Sequence, residues 1–465
     1  MTENEKRKNN NYGLIGLGVM GRNLALNMAD HAIDLTVFSI SQEERDAVQA
    51  QLNVADSMQA LVRKLAPPRV LFLMVTAGEA VDLVLEELLP HLEKGDSVID
   101  GGNSNYLDTE RRSKFCANSE INFVGVGISG GEEGARNGAS VMVGGDQFEH
   151  LDALFAAIAT EARGKPCYGW LGRGGAGHFV KTVHNGIEYG VMQLIAETYD
   201  VLVRSCGKTI AEAQTWFESQ RGGVLDSYLI DITAGILGKS DEADGLLLDK
   251  VKDVAEQKGT GRWCVDAALE LGVPIPTIMA AVTERQLSNQ LSVRERLSVR
   301  ALPTEDTDSL DDSDLAQALY IAIIATFAQG LSLIQTASDE NSWGTDITVA
   351  LKLWRGGCII RAQLLEDLIA ATEALEPGEN VLLDESLAKL TASNLPSLRR
   401  VASAAIASGV PVPAMTSALS YLDSMHSARL STHMIQAQRD CFGAHQFERV
   451  DMPGRFHANW LGPEE

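Results

Sequence analysis

Polar residues recur at helical spacing in the largely apolar segment from Gly177 to Tyr189. They are Lys181, His184, Asn185 and Glu188. These positions correspond to i, i+3, i+4 and i+7, so the four side chains share one face if the segment is an α-helix. An amine and a carboxylate two turns apart can serve as base and acid at the two ends of a bound substrate. The pattern favours a walled cleft, but a surface ladder of ion pairs has the same spacing.

A glycine-rich turn near the start of the chain has the spacing of a dinucleotide-binding turn. Gly16, Gly18 and Gly21 follow the apolar segment Tyr12–Ile15, and a helical pattern begins near Val19. Glycine permits the tight turn and the close approach of backbone to a pyrophosphate, and the helix N-terminus offers N–H groups to the anion. We therefore predict a dinucleotide site, although a structural glycine turn fits the same spacing.

The residues that distinguish NAD from NADP are expected about 20 positions after the last glycine of such a turn. The sequence there is Ser39-Ile40-Ser41, with neither an acidic residue for the ribose hydroxyls nor an arginine for a 2′-phosphate. Arg45 is the only nearby cation, and Glu43 and Glu44 precede it. This loop leaves the cofactor preference open.

Two more glycine-rich loops follow predicted strands, and basic residues occur further along the chain. Loops at the carboxyl ends of parallel strands commonly bind ligands, although each loop alone also fits a tight turn. Lys258 lies in a turn that resembles an anion cradle, and Arg285 lies in a helical segment that could face it. Individually, each basic residue also fits a surface charge. The candidate polar and anion-binding residues are Asn103, Ser129, Gly130, Gly131, Lys258, Arg285, Arg449 and His457.

Short apolar runs that alternate with helical patterns predict a doubly wound, mainly parallel α/β sheet of the Rossmann type over residues 1–177. The predicted strands are Tyr12–Ile15, Leu35–Phe38, Val70–Val75, Ser97–Asp100 and Asn122–Val126. Residues 178–434 are predicted to form a large all-helical domain, with helices at Phe179–Cys206, Ile210–Gln220, Leu315–Thr336 and Ala362–Glu373. Regular periodicity is lost from about Gln436, so an irregular tail is expected over residues 435–465.

The composition excludes several classes of protein. The 465 residues carry a net charge of −24, which argues against nucleic acid and anionic membranes as partners. The first residues lack the apolar core of a secretory signal, and the longest mainly apolar run, Ala318–Ala328, is shorter than the roughly 18 residues that span a bilayer. Six cysteines without C-x-x-C pairs argue against a zinc site or a disulfide framework. We expect a soluble cytoplasmic protein.

Segments along nearly the whole chain match one enzyme family. The sequence resembles the decarboxylating 6-phosphogluconate dehydrogenases. The matching segments are GLIGLGVMGRNLALN at 13–27, DGGNS at 100–104, residues 123–138, GHFVKTVHNGIEYG at 177–190, QKGTG at 257–261, LWRGGCIIR at 353–361, IQAQRD at 435–440, FGAH at 442–445 and FHANW at 456–460. So many segments in the same order are far more specific than any single motif.

The resemblance implies metal-free oxidation and decarboxylation of 6-phospho-D-gluconate to D-ribulose 5-phosphate and CO2. Lys181 would act as the base toward the C3 hydroxyl, and Glu188 would protonate C1 of the enediol. It also implies a homodimer in which each tail threads through the other subunit.

The implied contacts fall into three groups. Substrate hydroxyls and carboxylate would meet Asn103, Ser129, Gly130, Gly131, His184 and Asn185. The substrate phosphate would meet Tyr189, Lys258 and Arg285, with Arg449 and His457 donated by the partner's tail. The nicotinamide cofactor would meet Gly16, Leu17, Gly18, Val19, Met20, Gly21, Ser39, Ile40, Ser41, Val75, Thr76, Ala77 and Asn103.

The departures from the family lie at the cofactor. NADP-dependent members carry Asn-Arg-Thr where this chain has Ser39-Ile40-Ser41, and usually a lysine in place of Thr76. A guanidinium–phosphate contact is worth about 1.5–3 kcal/mol. NADP is the implied cofactor, with NAD as the alternative, and we predict weaker NADP selectivity than the family norm.

Two other functions compete with this interpretation. One is a non-catalytic homologue that binds sugar phosphate as a sensor or dimer partner, and the intact Lys181 and Glu188 pair argues against it. The other is a dehydrogenase of another β-hydroxyacid, which would leave the charges of Lys258, Arg285 and Arg449 unpaired.

Overall fold

The computed structural model describes residues 11–257, 259–300, 302–305 and 309–462. The predicted phosphate contact Lys258 therefore lies outside the described residues. The chain forms two compact units, one ending at Ala418 and the other beginning at Leu419.

An eight-stranded sheet forms the core of the first part of the chain. The strands in this part of the chain, including two outside the large sheet, are β1 (Tyr12–Ile15), β2 (Leu35–Phe38), β3 (Asn53–Val54), β4 (Val70–Leu73), β5 (Ser97–Asp100), β6 (Asn122–Ser129), β7 (Ser140–Gly144), β8 (Glu161–Ala162), β9 (Lys165–Pro166) and β10 (Tyr168–Trp170). Their order in the sheet is β10-β7-β6-β5-β4-β1-β2-β3, while β8 and β9 form a separate hairpin. Every neighbouring pair of the large sheet is parallel except β6 and β7. The predicted mainly parallel sheet is confirmed.

Helices cover both faces of this sheet, which is why its strands are nearly continuous apolar runs. Alternate residues of β1 point to opposite sides, so Leu14 and Ile15 belong to separate apolar clusters. The helices of this part are α1 (Val19–Asp30), α2 (Gln42–Asp46), α3 (Met58–Lys64), α4 (Glu79–Leu88), α5 (Tyr106–Ala117), α6 (Gly131–Asn137) and α7 (Asp152–Ile158). The carboxyl ends of β1, β2, β4, β5 and β6 meet along one edge of the sheet, since these strands are parallel.

From Ala176 to Ala418 the chain is mainly helical, which confirms the predicted large helical part. Its helices are α8 (Ala176–Asp200), α9 (Ile210–Ser219), α10 (Tyr228–Leu237), α11 (Thr260–Glu270), α12 (Pro276–Ser288), α13 (Leu291–Ser298), α14 (Asp312–Asn341), α15 (Ile347–Leu353), α16 (Leu365–Ala374), α17 (Glu385–Ala407) and α18 (Pro413–Met425). The central helix α8 packs against β6 and β7 on one side and against α11, α12 and α14 on others.

Glycines allow α8 to approach the sheet closely. A Cβ built on Gly127 of β6 would lie 2.4 Å from Cβ of Lys181, and one built on Gly177 would lie 2.5 Å from the backbone nitrogen of Gly144. Any side chain at these positions would push the helix away from the sheet. The glycines thereby bring Lys181 next to the end of β6.

Helix α14 is long and apolar enough to cross a membrane by length and composition, with a mean hydropathy of 1.6 over its most apolar 18-residue window. The run Ala318–Ala328, which is too short to span a bilayer, is only part of this helix. However, 89% of that window is buried inside the protein. These properties fit a core helix, which is apolar all round because neighbouring helices surround it.

The unit from Leu419 onward contains the helix α19 (Thr432–Gly443) and a hairpin of β11 (Phe447–Glu448) and β12 (Arg455–Phe456). The irregular tail expected from about Gln436 therefore begins eight residues later, after Gly443. The sequence did not predict helix α19. Its few large apolar residues, Met434, Ile435 and Phe442, are exposed and do not mark a buried face. Within this unit the buried carboxylate of Asp440 accepts hydrogen bonds from the backbone of Gln446 and Ala458 and from the indole of Trp460.

Candidate active site

The four polar residues of α8 lie together on one side of the helix. Nζ of Lys181 donates a hydrogen bond of 3.1 Å to Oγ of Ser129, the last residue of β6. Nε2 of His184 lies 3.3 Å from the same oxygen. Lys181 and His184 are buried, so the alternative of a solvent-exposed ladder of ion pairs is wrong.

The other two residues complete the cluster one turn further along. Nδ1 of His184 lies 3.2 Å from Oδ1 of Asn185 and 4.0 Å from Oε2 of Glu188. The Glu188 side chain is 21% exposed, so it lies at the rim of the buried cluster. An amine, an imidazole, an amide and a carboxyl group thus line one partly enclosed site.

Burial changes the protonation of these groups in complementary directions. It lowers the pKa of Lys181, although the nearby Glu188 opposes the shift, and so increases the fraction of neutral amine. It raises the pKa of Glu188 against the opposing charges of Lys181 and Arg285, which favours the protonated acid. Burial and the neighbouring Lys181 charge hold the pKa of His184 well below its ordinary value, so this imidazole is neutral. The site can therefore offer a base and an acid at once.

The segment around Trp354 forms a wall of this site that sequence reasoning did not assign. The Trp354 ring lies 5.6 Å from the His184 ring, and its backbone carbonyl accepts a hydrogen bond from the Cys358 thiol. A Cβ built on Gly130 would lie 2.6 Å from the carbonyl oxygen of Gly357. The Gly130 turn is thus pressed against this segment, whereas Gly131 faces open space.

The Asn103 loop is held rigidly beside the end of β6. Asn103 has a left-handed backbone (φ 54°), and its side-chain amide pairs with the backbone of Ile128 through bonds of 2.9 and 3.2 Å. Asp100 accepts bonds from the Gly102 nitrogen and the Ser104 hydroxyl. The predicted substrate residue Asn103 is therefore also a structural clamp.

Arg112 connects this loop to the turn after β4, a role that sequence reasoning missed. Its fully buried guanidinium contacts Asp100, Ser104 and Asp82, and it donates a bond of 2.8 Å to the carbonyl of Gly78. That turn holds the predicted cofactor residues Val75, Thr76 and Ala77.

Tyr189 and Arg285 form a stacked pair midway along α8, directly after Glu188. The Arg285 guanidinium lies 3.5 Å from the centroid of the Tyr189 ring, and Nη1 donates to the carbonyl of Glu256. A Cβ built on Gly261 would lie 2.5 Å from the same ring. The structure thus brings two of the three predicted phosphate residues together, next to the segment that contains the undescribed Lys258.

The remaining predicted anion contacts lie in the tail unit. The Arg449 guanidinium pairs with Asp451 at 2.6 Å. Nδ1 of His457 lies 3.0 Å from the carboxylate of Asp440.

The glycine turn fits a dinucleotide. Gly16 has a left-handed backbone (φ 99°), its nitrogen donates to the Phe38 carbonyl at the end of β2, and a Cβ there would lie 2.5 Å from the Met74 carbonyl oxygen. A Cβ on Gly21 would lie 2.0 Å from the Gly16 carbonyl oxygen, so both positions require glycine. Gly18 and Val19 are exposed, and within the described part of the chain no side chain caps the N–H groups that begin α1. Leu17 is buried, and Met20 is half-buried. An open, uncapped helix N-terminus fits a pyrophosphate.

Ser39, Ile40 and Ser41 in the loop after β2 are all implied cofactor contacts, but they lie in different environments. Ser39 is buried, Ile40 is 89% exposed, and the Ser41 hydroxyl caps α2 by accepting from the Glu44 nitrogen. The Ser39 hydroxyl donates a bond of 2.5 Å to the Glu44 carboxylate. An acidic group therefore does reach this loop, although none occurs at Ser39 itself. The S-x-x-E spacing of a helix start was the signal that could have located Glu44.

Comparisons with known proteins agree with this architecture. Residues 11–172 match the family model described as the NAD binding domain of 6-phosphogluconate dehydrogenase, and residues 177–460 match its C-terminal domain. Relatives include the decarboxylating 6-phosphogluconate dehydrogenase of Lactococcus lactis, which is 42% identical. The NADP(+)-dependent enzyme of Bacillus subtilis is 43% identical, and each alignment covers 97% of this chain and 98% of the relative.

A solved structure is also similar over nearly the whole chain. The 6-phosphogluconate dehydrogenase of Plasmodium falciparum, studied in its apo form, with its cofactor NADP+ and with its substrate 6-phosphogluconate, superposes with a TM-score of 0.93. It is 35% identical in sequence, and the match covers 97% of this chain and 100% of that one. The chain belongs to the 6-phosphogluconate dehydrogenase family.

Proposed function

We propose that this chain oxidises and decarboxylates 6-phospho-D-gluconate to D-ribulose 5-phosphate and CO2, with NADP or NAD as hydride acceptor. The observation that carries the proposal is the buried Lys181 together with Glu188 at the rim of the same site, whose pKa values are shifted in opposite directions. The names of the relatives give the same reaction class. A non-catalytic sensor has no need for such a pair.

Lys181 is proposed as the base of the oxidation step. Its neutral amine takes the proton of the C3 hydroxyl, and its bond to Ser129 holds it at the end of β6. Bound nicotinamide supplies the hydride acceptor. The oxidised substrate is a β-keto acid that loses CO2 readily because its carbonyl accepts the electrons. The now protonated Lys181 then donates a proton to that oxygen.

Glu188 is proposed as the acid that protonates C1 of the resulting enediol, while Lys181, again neutral, takes the enediol hydroxyl proton as the ketone forms. The raised pKa of Glu188 favours the protonated carboxyl that this role requires. The neutral His184 adds no positive charge to the site, so it suits hydrogen bonding to substrate hydroxyls better than ion pairing. The proposed further contacts are Asn103, Ser129, Gly130, Gly131 and Asn185.

The substrate phosphate is assigned to Tyr189, Lys258 and Arg285, with Arg449 and His457 from a second subunit. The tail unit carries exposed Phe442, Val450 and Leu461, and exposed apolar groups of this size favour a protein partner. We propose a homodimer with tail exchange, a dinucleotide domain over 1–177, a helical substrate and dimerisation domain over 178–434 and a tail over 435–465. A cytoplasmic location, with no nucleic-acid or membrane partner, fits the net charge of −24.

The absorbance of reduced nicotinamide, measured with 6-phosphogluconate and each cofactor in turn, tests the reaction, and the release of CO2 tests the decarboxylation. We expect turnover with both cofactors. A kcat/KM for NADP more than about a hundredfold above that for NAD would contradict the predicted weak selectivity. Absence of turnover with both cofactors would refute the proposed activity.

Mixing two inactive variants tests the tail exchange. A Lys181→Met subunit retains an intact tail, and an Arg449→Met subunit retains an intact α8. If the tail completes the partner's site, subunit exchange creates one complete site per mixed dimer and restores activity. No recovery after exchange, confirmed by tagged subunits that co-purify, would show that Arg449 acts within its own subunit.

A further inference from the structure

We propose that Glu44 determines the nucleotide selectivity of this enzyme by binding the ribose diol of NAD and repelling the 2′-phosphate of NADP. The inference deepens the proposed function, on which it rests. It concerns the loop after β2, where dinucleotide-binding folds distinguish the two cofactors.

Two hydrogen bonds fix Glu44, one through its backbone and one through its carboxylate. Its backbone nitrogen donates to the Ser41 hydroxyl at the start of α2, and Oε2 accepts a bond of 2.5 Å from the buried Ser39 hydroxyl. This hydroxyl also accepts a bond from the Ser41 nitrogen. The carboxylate therefore has a defined position at the carboxyl end of β2, six residues after the strand ends at Phe38.

The second carboxylate oxygen lies toward the glycine turn. Oε1 of Glu44 would be 3.8 Å from a Cβ built on Gly18, the residue at the open N-terminus of α1. A dinucleotide held at this turn places its adenine ribose beside the end of β2. The free oxygen can accept a hydrogen bond from a ribose hydroxyl, whereas a 2′-phosphate would bring like charges together.

The hydrogen bonds of the neighbouring cation, Arg45, go to neutral oxygens. The Arg45 guanidinium donates to the carbonyl of Ser39 and to the side chain of Gln42, and it lies 5.7 Å from the centroid of the Phe38 ring. It is held by the loop's own neutral oxygens. Ile40, at the position of the family's arginine, projects into solvent.

Equilibrium binding of NAD and NADP to the full chain, measured by calorimetry without substrate, tests the proposal. Glu44→Gln keeps an oxygen for the Ser39 hydroxyl but removes the charge. We expect this variant to shift the ratio of the two Kd values toward NADP by at least about fivefold. The control Glu43→Gln makes the same charge change at an exposed neighbour and should leave the ratio within about twofold.

A shift smaller than fivefold in Glu44→Gln, or an equal shift in Glu43→Gln, would overturn the proposal. Circular dichroism and the unfolding midpoint verify that both variants fold like the wild type. Because the ratio of the two Kd values is measured without 6-phosphogluconate, a negative result for Glu44 does not contradict the proposed reaction. If Glu44→Gln shifts the ratio of the two Kd values as expected but the wild type does not turn over 6-phosphogluconate, the proposed reaction is refuted and the role of Glu44 is not.

Discussion

Nζ of Lys181 donates a hydrogen bond of 3.1 Å to Oγ of Ser129, and this contact connects the central helix α8 to the last residue of β6. The helix and the strand approach so closely because Gly127 has no side chain opposite Cβ of Lys181. The proposed base is thus fixed to the sheet edge where the glycine turn of the dinucleotide site also lies.

Replacement of Lys181 should remove the base without disturbing the fold. Lys181→Met keeps the length of the buried side chain, and we expect kcat to fall by about 10²–10⁴-fold. The control Lys389→Met changes a lysine whose side chain is 74% exposed and should retain wild-type kcat. The initial rate of nicotinamide reduction measures both. A Lys181→Met enzyme with turnover near the wild-type value would refute the assignment.

The charge of Glu188 should influence the pKa of Lys181 and thereby the pH dependence of activity. Glu188 raises the pKa of Lys181 against the larger effect of burial, so Glu188→Gln should lower that pKa further. Lys181 acts in its neutral form, and activity therefore rises as pH rises through its pKa. We expect this ascending limb of the residual kcat/KM profile to move to lower pH in the variant. A limb that stays in place or moves to higher pH would contradict the coupling.

Buried apolar runs and helical spacing sufficed to predict the main elements. The strands at Tyr12–Ile15 and Leu35–Phe38 are found with the predicted bounds because both are almost entirely buried. The helix α9 (Ile210–Ser219) is found to within one residue. Strand β7, at Ser140–Gly144, was not predicted, because a five-residue run between glycine-rich segments carries little periodic signal.

Contacts between residues distant in sequence were beyond prediction. Arg112 has no local signature, since its partners Asp82 and Asp100 come from two other elements. Glu44 was noticed only as a charge beside Arg45. The S-x-x-E spacing from Ser41 indicates a helix start, but it does not show that the Glu44 side chain turns back to Ser39. Spacing predicted the shared face of α8 correctly, but only burial decided between a cleft and a surface ladder.

Arg112 should be essential for stability as the counter-ion of two carboxylates. Arg112→Met leaves the buried Asp100 and the partly buried Asp82 without it, so we expect the free energy of unfolding to fall by about 3–5 kcal/mol. Arg111→Met removes an exposed partner of the same Asp82 and should cost less than about 1 kcal/mol. Denaturant unfolding compares the two. Equal losses in the free energy of unfolding would mean that the burial of the Arg112 guanidinium adds nothing to its contribution to stability.

The buried Glu197 should make stability fall as pH rises. Burial raises its pKa to about 7, against hydrogen bonds from the backbone nitrogens of Ala414 and Met415. The folded protein thus binds this proton more tightly than the unfolded chain, and the stability it contributes below pH 4.5 is lost as pH rises through 7. Relative to Glu197→Gln, the wild type should lose about 2–3 kcal/mol between pH 4.5 and pH 8.

Chemical unfolding at several pH values measures this difference, because other titrating groups cancel between the two proteins. The control Glu385→Gln removes a carboxylate whose side chain is 84% exposed and should run parallel to the wild type. A Glu197→Gln curve that also parallels the wild type would show that Glu197 titrates alike in both states.

Ile40 offers a site at which NADP binding can be strengthened. Its side chain is 89% exposed at the loop after β2, so an arginine there meets no steric barrier. Ile40→Arg adds a guanidinium for the 2′-phosphate, and we expect Kd for NADP to fall by about tenfold to a hundredfold while Kd for NAD changes by less than about twofold. The control Ile406→Arg places the same charge at an exposed position of α17. Calorimetric titration measures both constants. Equal tightening of NAD and NADP, or equal effects of the two substitutions, would indicate a general gain of positive charge and would contradict a specific contact with the phosphate.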